Sequence, residues 1–118
     1  MCGRYATTQT SASLNQAFEV DLSASLLVEP EPDYNMAPTK LAPILIGRAP
    51  EESSPDRPLR ELIIAKWGLI PSWAKDQSIG NRMINARSET LAEKPAFKKA
   101  FGKRRALIPA DGYFEWYA

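Results

Sequence analysis

Apolar and polar positions along this chain recur in short blocks. Residues 3–6, Gly-Arg-Tyr-Ala, read as a short strand. Ser13, with Gln16 three positions on, has the form of a capping box, and Leu14 and Phe18 lie one helical turn apart. That spacing predicts an amphipathic helix over 13–19. Residues 28–40 are rich in proline and acid and read as a loop, closed by Asn35-Met36-Ala37-Pro38-Thr39. Positions 41–47 are apolar and β-prone, with Pro43 arguing for an edge strand or a bulge. Residues 48–60 hold three prolines and mixed charge and read as an exposed excursion before a second strand over 61–67.

Trp67-Gly68-Leu69-Ile70-Pro71-Ser72-Trp73 is broken by Gly and Pro and cannot be one regular element. A helical turn is expected over 88–93. A second helix is expected over 95–101, with Pro95 in its first turn, Phe97 and Phe101 on one face and Gly102 as the stop. A strand over 104–109, a turn at Asp111-Gly112 and a returning strand over 113–117 complete the pattern. On that last strand Phe114 and Trp116 share one face, and Tyr113, Glu115 and Tyr117 the other. The length suggests one domain or part of one.

Composition narrows the chemistry. The chain has 118 residues, 44% hydrophobic and 25% charged, as in ordinary globular proteins. It contains one cysteine, Cys2, and no histidine. An intrachain disulfide and a cysteine-rich zinc site are therefore excluded, as is Ser-His or Cys-His catalysis within these residues. No residue pattern calls for a metal or a cofactor. No apolar run approaches the roughly 20 residues of a membrane span, and the N-terminus has no apolar signal core. A cytoplasmic protein is expected, without membrane partners.

Net charge is +1, but its distribution is uneven. Residues 1–65 carry five basic and nine acidic side chains, and residues 66–118 carry ten and five. Within 81–105 eight bases face two acids. Such a cluster either binds a polyanion or is a solvated helical face.

Candidate chemistry gathers at a few residues. Cys2 is either a small buried hydrophobe near a terminus or, once Met1 is removed, a 1,2-aminothiol. An α-amine has a pKa of about 7.7–8.0 and a thiol about 8.5, so roughly a tenth or more of the amine is nucleophilic at neutral pH. The amine condenses with an aldehyde to an imine, and the thiol closes on the imine carbon to a thiazolidine. While Met1 remains, the Cys2 nitrogen is an amide and this ring cannot form. Glu115, flanked by aromatics, is either a proton-transfer group with a pKa raised by burial or an outward-facing glutamate. Asn85 and Arg87, alternate residues of an extended stretch, could hold an oxygen or amine and a phosphate, or be a turn and a surface charge. Trp67 and Trp73 either stack on nucleobases or pack in the core.

Five motifs in fixed order change the weight of these signals: Met-Cys-Gly-Arg-Tyr at the start, Asn35 to Thr39, Trp67-Gly68-Leu69-Ile70-Pro71, Asn85-Ala86-Arg87-Ser88-Glu89-Thr90, and Pro109-Ala110-Asp111-Gly112-Tyr113-Phe114-Glu115-Trp116. Together they resemble the SOS-response-associated peptidase (SRAP) family, over the whole chain. The resemblance implies an α+β fold of curved, barrel-like antiparallel sheets with short helices, of which residues 1–118 are the N-terminal part. Members run on for roughly another hundred residues, and the remainder supplies a site histidine. A separate chain could also complete the domain.

The resemblance further implies a sensor of abasic sites in single-stranded DNA, cross-linking through Cys2 in the DNA-damage response and nucleoid-associated when acting. Asn85 would orient the sugar or amine, and Glu115 would shuttle protons. Arg4 and Arg87 would contact phosphates. Pro38 and Trp67 would flank or wedge the bases beside the lesion. Two other functions stay open: a cysteine peptidase using Cys2, and a non-covalent single-strand-binding module using residues 81–105 and the tryptophans.

Overall fold

The computed structural model describes residues 1–21, 29–52 and 55–117. Its elements run β1 (Arg4–Thr7), α1 (Ser11–Ala17), β2 (Asp33–Met36), β3 (Leu41–Arg48), β4 (Leu59–Lys66), a 3₁₀ helix (Gln77–Asn81), α2 (Pro95–Lys103), β5 (Ala106–Leu107) and β6 (Gly112–Phe114). The architecture is α+β, as expected. The strands form two antiparallel three-stranded sheets, ordered β2-β1-β6 and β4-β3-β5. Both sheets are open at both edges, so no closed barrel exists among the described residues.

Local chemistry explains where the elements fall. α1 starts earlier than the capping-box pattern predicts, because Thr10 is the N-cap and its hydroxyl accepts from the Ser13 N–H at 3.1 Å. Ser13 instead donates its hydroxyl to Gln9 at 2.7 Å. The expected 28–40 loop contains a strand, β2, while residue 28 lies outside the described residues. Tyr34 and Asn35 are exposed, so no apolar alternation advertised it. The strand exists because β1 supplies a ladder, with Met36 opposite Tyr5 and Asp33 opposite Thr7 across a bulge.

Pro43 sits on the central strand of its sheet, in unbroken register with Ile64. The position is tolerated because β5 pairs only with Leu45 and Ile46, leaving β3 with one neighbour at Pro43. The 88–93 turn forms, with the Leu91 N–H on the Arg87 carbonyl at 3.0 Å. α2 begins at Pro95 as expected. β6 ends at Phe114 rather than 117, because its partner strand starts at Arg4, which pairs with Phe114.

Two small clusters form the core. Tyr5, Met36 and Ala42 pack together, backed by Cys2 and Trp67, and so join the two sheets. Leu14, Leu45 and Leu62, backed by Phe18 and Val20, fasten α1 onto β3 and β4. Burying each such side chain contributes about 1.5–3 kcal/mol. Beyond β4, Gly68 takes a φ of +131°, and a Cβ there would lie 2.3 Å from the Gly80 carbonyl oxygen. Only glycine lets the Trp67–Trp73 loop approach the 3₁₀ helix this closely.

Leu62 is fully buried. Leu62→Ala is expected to lower unfolding free energy by about 2–5 kcal/mol, read from denaturant titration. Gly68→Ala, where backbone must move, is expected to unfold the loop and expose the Trp67 indole to quenching.

Candidate functional site

A cleft of about 740 Å³ opens at the N-terminus, lined by Met1, Gly3, Arg4, Asn35, Phe114, Glu115 and Trp116. The sheet β2-β1-β6 builds it. β1 is the middle strand, so its N-terminal end carries residues 1–4 between β2, which offers Asn35, and β6, which leads into Glu115. A second groove of about 540 Å³, between α1 and β3–β5, is lined mainly by apolar side chains with Arg60 and Arg105 and has no thiol or carboxylate. The first cleft holds the Glu115 carboxylate and the residues on either side of Cys2, whose thiol is not part of its lining.

Three expected residues converge on the N-terminus. The Asn85 side-chain amide donates to the Cys2 carbonyl oxygen at 2.8 Å. The Glu115 carboxylate accepts from the Met1 ammonium at 3.3 and 3.4 Å. The half-buried Cys2 thiol lies 3.6 Å from the Arg4 carbonyl oxygen and backs the Tyr5 cluster. Burial, then the nearby Cys2 and Asp33, push the Tyr5 phenol above its ordinary value, so Tyr5 stays neutral beside the thiol.

Glu115 is not the buried core-strand residue that its aromatic flanks suggest. It lies just past β6 with a half-exposed side chain. Trp116 and Tyr117 are 96% and 102% exposed, since β6 has β1 on one side only and nothing among the described residues covers its faces.

Arg4 donates through Nη1 to the Asn35 side-chain oxygen at 2.9 Å. Asn35 escaped the sequence reading as a site residue because its strand looked like a loop. The useful signal was Asp33, whose carboxylate caps the Asn35 N–H at 2.8 Å. Lys40, then this N–H, hold the Asp33 carboxyl below its usual range.

The remaining expected residues sit further out. Pro38 is half-buried in the turn closed by the Lys40 N–H on the Ala37 carbonyl. Trp67 packs its ring against Tyr5, centroids 5.4 Å apart and planes tilted by 57°, and donates its indole N–H to the Ile84 carbonyl at 3.0 Å. That bond fixes the Asn85 segment beside β1. Trp73 is the more open of the pair, at 57%. Arg87 is exposed and does not line the cleft. The ion pairs among the described residues include none of the eight bases of 81–105.

Asp111 locks β6 in place. It accepts from the Thr8 N–H at 2.7 Å, the Thr8 hydroxyl at 2.9 Å and the Gln9 amide at 2.9 Å. Its own N–H donates to the Ala6 carbonyl at 2.9 Å. The Gln9 bond, then those from Thr8, hold its carboxyl below the ordinary range.

Fold and cleft together describe an α+β chain whose polar groups gather around its own first residues. The sequence matches the family described as SOS response associated peptidase (SRAP) over residues 1–118. It is 41% identical over 118 residues to the abasic site processing protein YoqW of Bacillus subtilis, covering 98% of this chain and 48% of that protein. It is 39% identical over 89 residues to the mouse abasic site processing protein HMCES, covering 72% of this chain and 25% of that one. A crystal structure of a Bordetella bronchiseptica protein superposes with a TM-score of 0.65 at 25% identity, over 93% of this chain and 48% of that one. The chain belongs to the SRAP family and spans about half the length of its bacterial relative.

Because the Asp111 carboxyl is depressed in the folded state, its contribution is complete above the unfolded aspartate range and lost as pH falls through the lower folded value. Asp111→Ala is expected to accelerate amide exchange of Tyr113 and Phe114 at neutral pH. Acidification of the wild type through the Asp111 titration is expected to lower the protection factors of these amides, after correction for the slower intrinsic exchange at low pH, as mass-spectrometric hydrogen exchange would report.

Proposed function

We propose that the protein carrying these residues senses abasic sites in single-stranded DNA and captures them covalently through Cys2 once Met1 is gone. The observation that carries this reading is the convergence of the Glu115 carboxylate and the Asn85 amide on the first two residues, at the mouth of the cleft edged by Arg4. The names of the relatives support abasic DNA as the substrate. The proposed setting is DNA repair in the SOS response, with the protein on the nucleoid while it acts.

The chemistry follows from the groups present. Removal of Met1 makes the Cys2 nitrogen the chain's terminal amine. It attacks the open-chain aldehyde of the abasic sugar, and water leaves to give an imine. The thiol sulfur then bonds to the imine carbon while the ring nitrogen gains a proton, giving a thiazolidine. The ring lacks the C=N group that would act as electron sink for β-elimination, so the strand is spared a break.

Glu115 would take a proton from the freed Cys2 amine and return one to the sugar oxygen, a role supported by its contact with the Met1 ammonium one residue away. Asn85 anchors the Cys2 carbonyl and so the reach of amine and thiol. Arg4 and Arg87 would bind phosphates, and Pro38 and the open part of the Trp67 ring would border neighbouring bases. The uncovered apolar faces of β5 and β6 are where the second half of the domain would pack, curving the sheets toward a barrel.

Full-length protein without Met1 is expected to shift an abasic oligonucleotide on a denaturing gel. The adduct mass should equal both components less one water. Cys2→Ala should abolish the shift, and Glu115→Gln should slow it by about a hundredfold or more. Equal cross-linking by Cys2→Ala would overturn the thiazolidine mechanism.

A further inference from the structure

We propose that Asn35 is a positioning residue for Arg4, and that the two form a fork of hydrogen-bond donors for one phosphodiester of the strand entering the cleft. This inference rests on the reading of DNA as the ligand.

Arg4 and Asn35 lie on adjacent strands, both line the cleft and both are exposed. A guanidinium carries five N–H donors in a rigid plane. The bond from Arg4 Nη1 to Asn35 Oδ1 at 2.9 Å spends one of them and fixes the plane. No other acceptor among the described residues takes an N–H from the Arg4 side chain.

The choice of acceptor matters. An amide oxygen orients the guanidinium without neutralising it. The nearby carboxylate that could neutralise it, Asp33, is committed to Lys40 Nζ at 2.7 Å and to the Asn35 N–H at 2.8 Å. Arg4 makes no ion pair with a carboxylate among the described residues. With Oδ1 facing Arg4, the other end of the Asn35 amide is Nδ2, a donor with no acceptor among the described residues. The Asp33 carboxylate acts on Arg4 only electrostatically while bonded to Lys40, so at this point the rim presents the Arg4 guanidinium and the Asn35 Nδ2 as donors, which suit a phosphate oxygen.

The test measures non-covalent binding separately from adduct formation. Full-length protein without Met1 is titrated by fluorescence anisotropy with an intact single strand, and by denaturing gel with an abasic strand. Asn35→Ala should raise the half-saturating DNA concentration roughly ten- to hundredfold, as expected for losing a bond to a charged group. The rate at saturating DNA should move far less.

Asn35→Asp keeps the shape and the acceptor but pairs with Arg4 and repels phosphate, so it should weaken binding further. In an Arg4→Ala background, Asn35→Ala should cost clearly less than in the wild type, because the amide's orientation toward the phosphate depends on its bond to Arg4. A strand with one methylphosphonate beside the lesion should bind wild type more weakly, and the variants should lose that distinction.

Unchanged half-saturation in Asn35→Ala and Asn35→Asp, or independent multiplying effects of Arg4→Ala and Asn35→Ala, would overturn the fork. Adduct formation with no Asn35 effect sinks this inference alone. A working fork with no adduct sinks the capture reading alone.

Discussion

Everything at the N-terminus depends on the burial of Tyr5 between Met36 and Ala42. Tyr5 packs with Met36 of its own sheet and with Ala42 of the other. Its side chain is 6% exposed, which fixes the height and direction of β1. Because side chains alternate along a strand, inward Tyr5 leaves Arg4 outward, over the cleft. Cys2 packs behind Tyr5 rather than fraying as chain ends usually do. A reactive terminus needs such backing, since an untethered amine and thiol would sample many geometries and seldom the productive one.

Around this anchor the polar bonds span long stretches of chain. Asn85 reaches back to Cys2, Asp111 to Thr8 and Gln9, and Glu115 to Met1. Each is exposed and individually modest. Their value is geometric, because they tie three distant segments to the two ends of a single strand, Asn85 and Glu115 before its start and Asp111 just past its finish. The charge distribution fits the same arrangement. Glu19, Asp21, Asp33 and Glu61 of the first half pair with bases of that same half, Arg60, Arg57, Lys40 and Arg48, while the bases of 81–105 keep their charge toward solvent. The low population of carboxylates in that second region leaves a surface suited to a polyanion.

Much of this was legible in the residues. The β3–β4 hairpin, α1, α2 and the 88–93 turn announce themselves through apolar spacing, proline and glycine. The five ordered motifs identify the family, and they contain Cys2, Asn85 and Glu115. What misled was environment. Tyr113-Phe114-Glu115-Trp116-Tyr117 has the look of a core strand, yet it is exposed, because aromatic content signals a need for cover without saying whether cover is present. β2 was hidden by the opposite failing, having proline and acid before it and two exposed residues within it.

The sequence by itself determined the reactive inventory: one thiol beside the terminus, no imidazole, a basic second half, and the local elements. Those follow from residue identity and near-neighbour spacing, which act over a few positions. Only the tertiary structure decided that Trp67 braces Tyr5 and the Asn85 segment, that Asp33 is kept for Lys40, and that Arg4 is oriented by a neutral amide. These pairings join residues up to 62 positions apart, and they arise from strand register and packing, which no local pattern encodes.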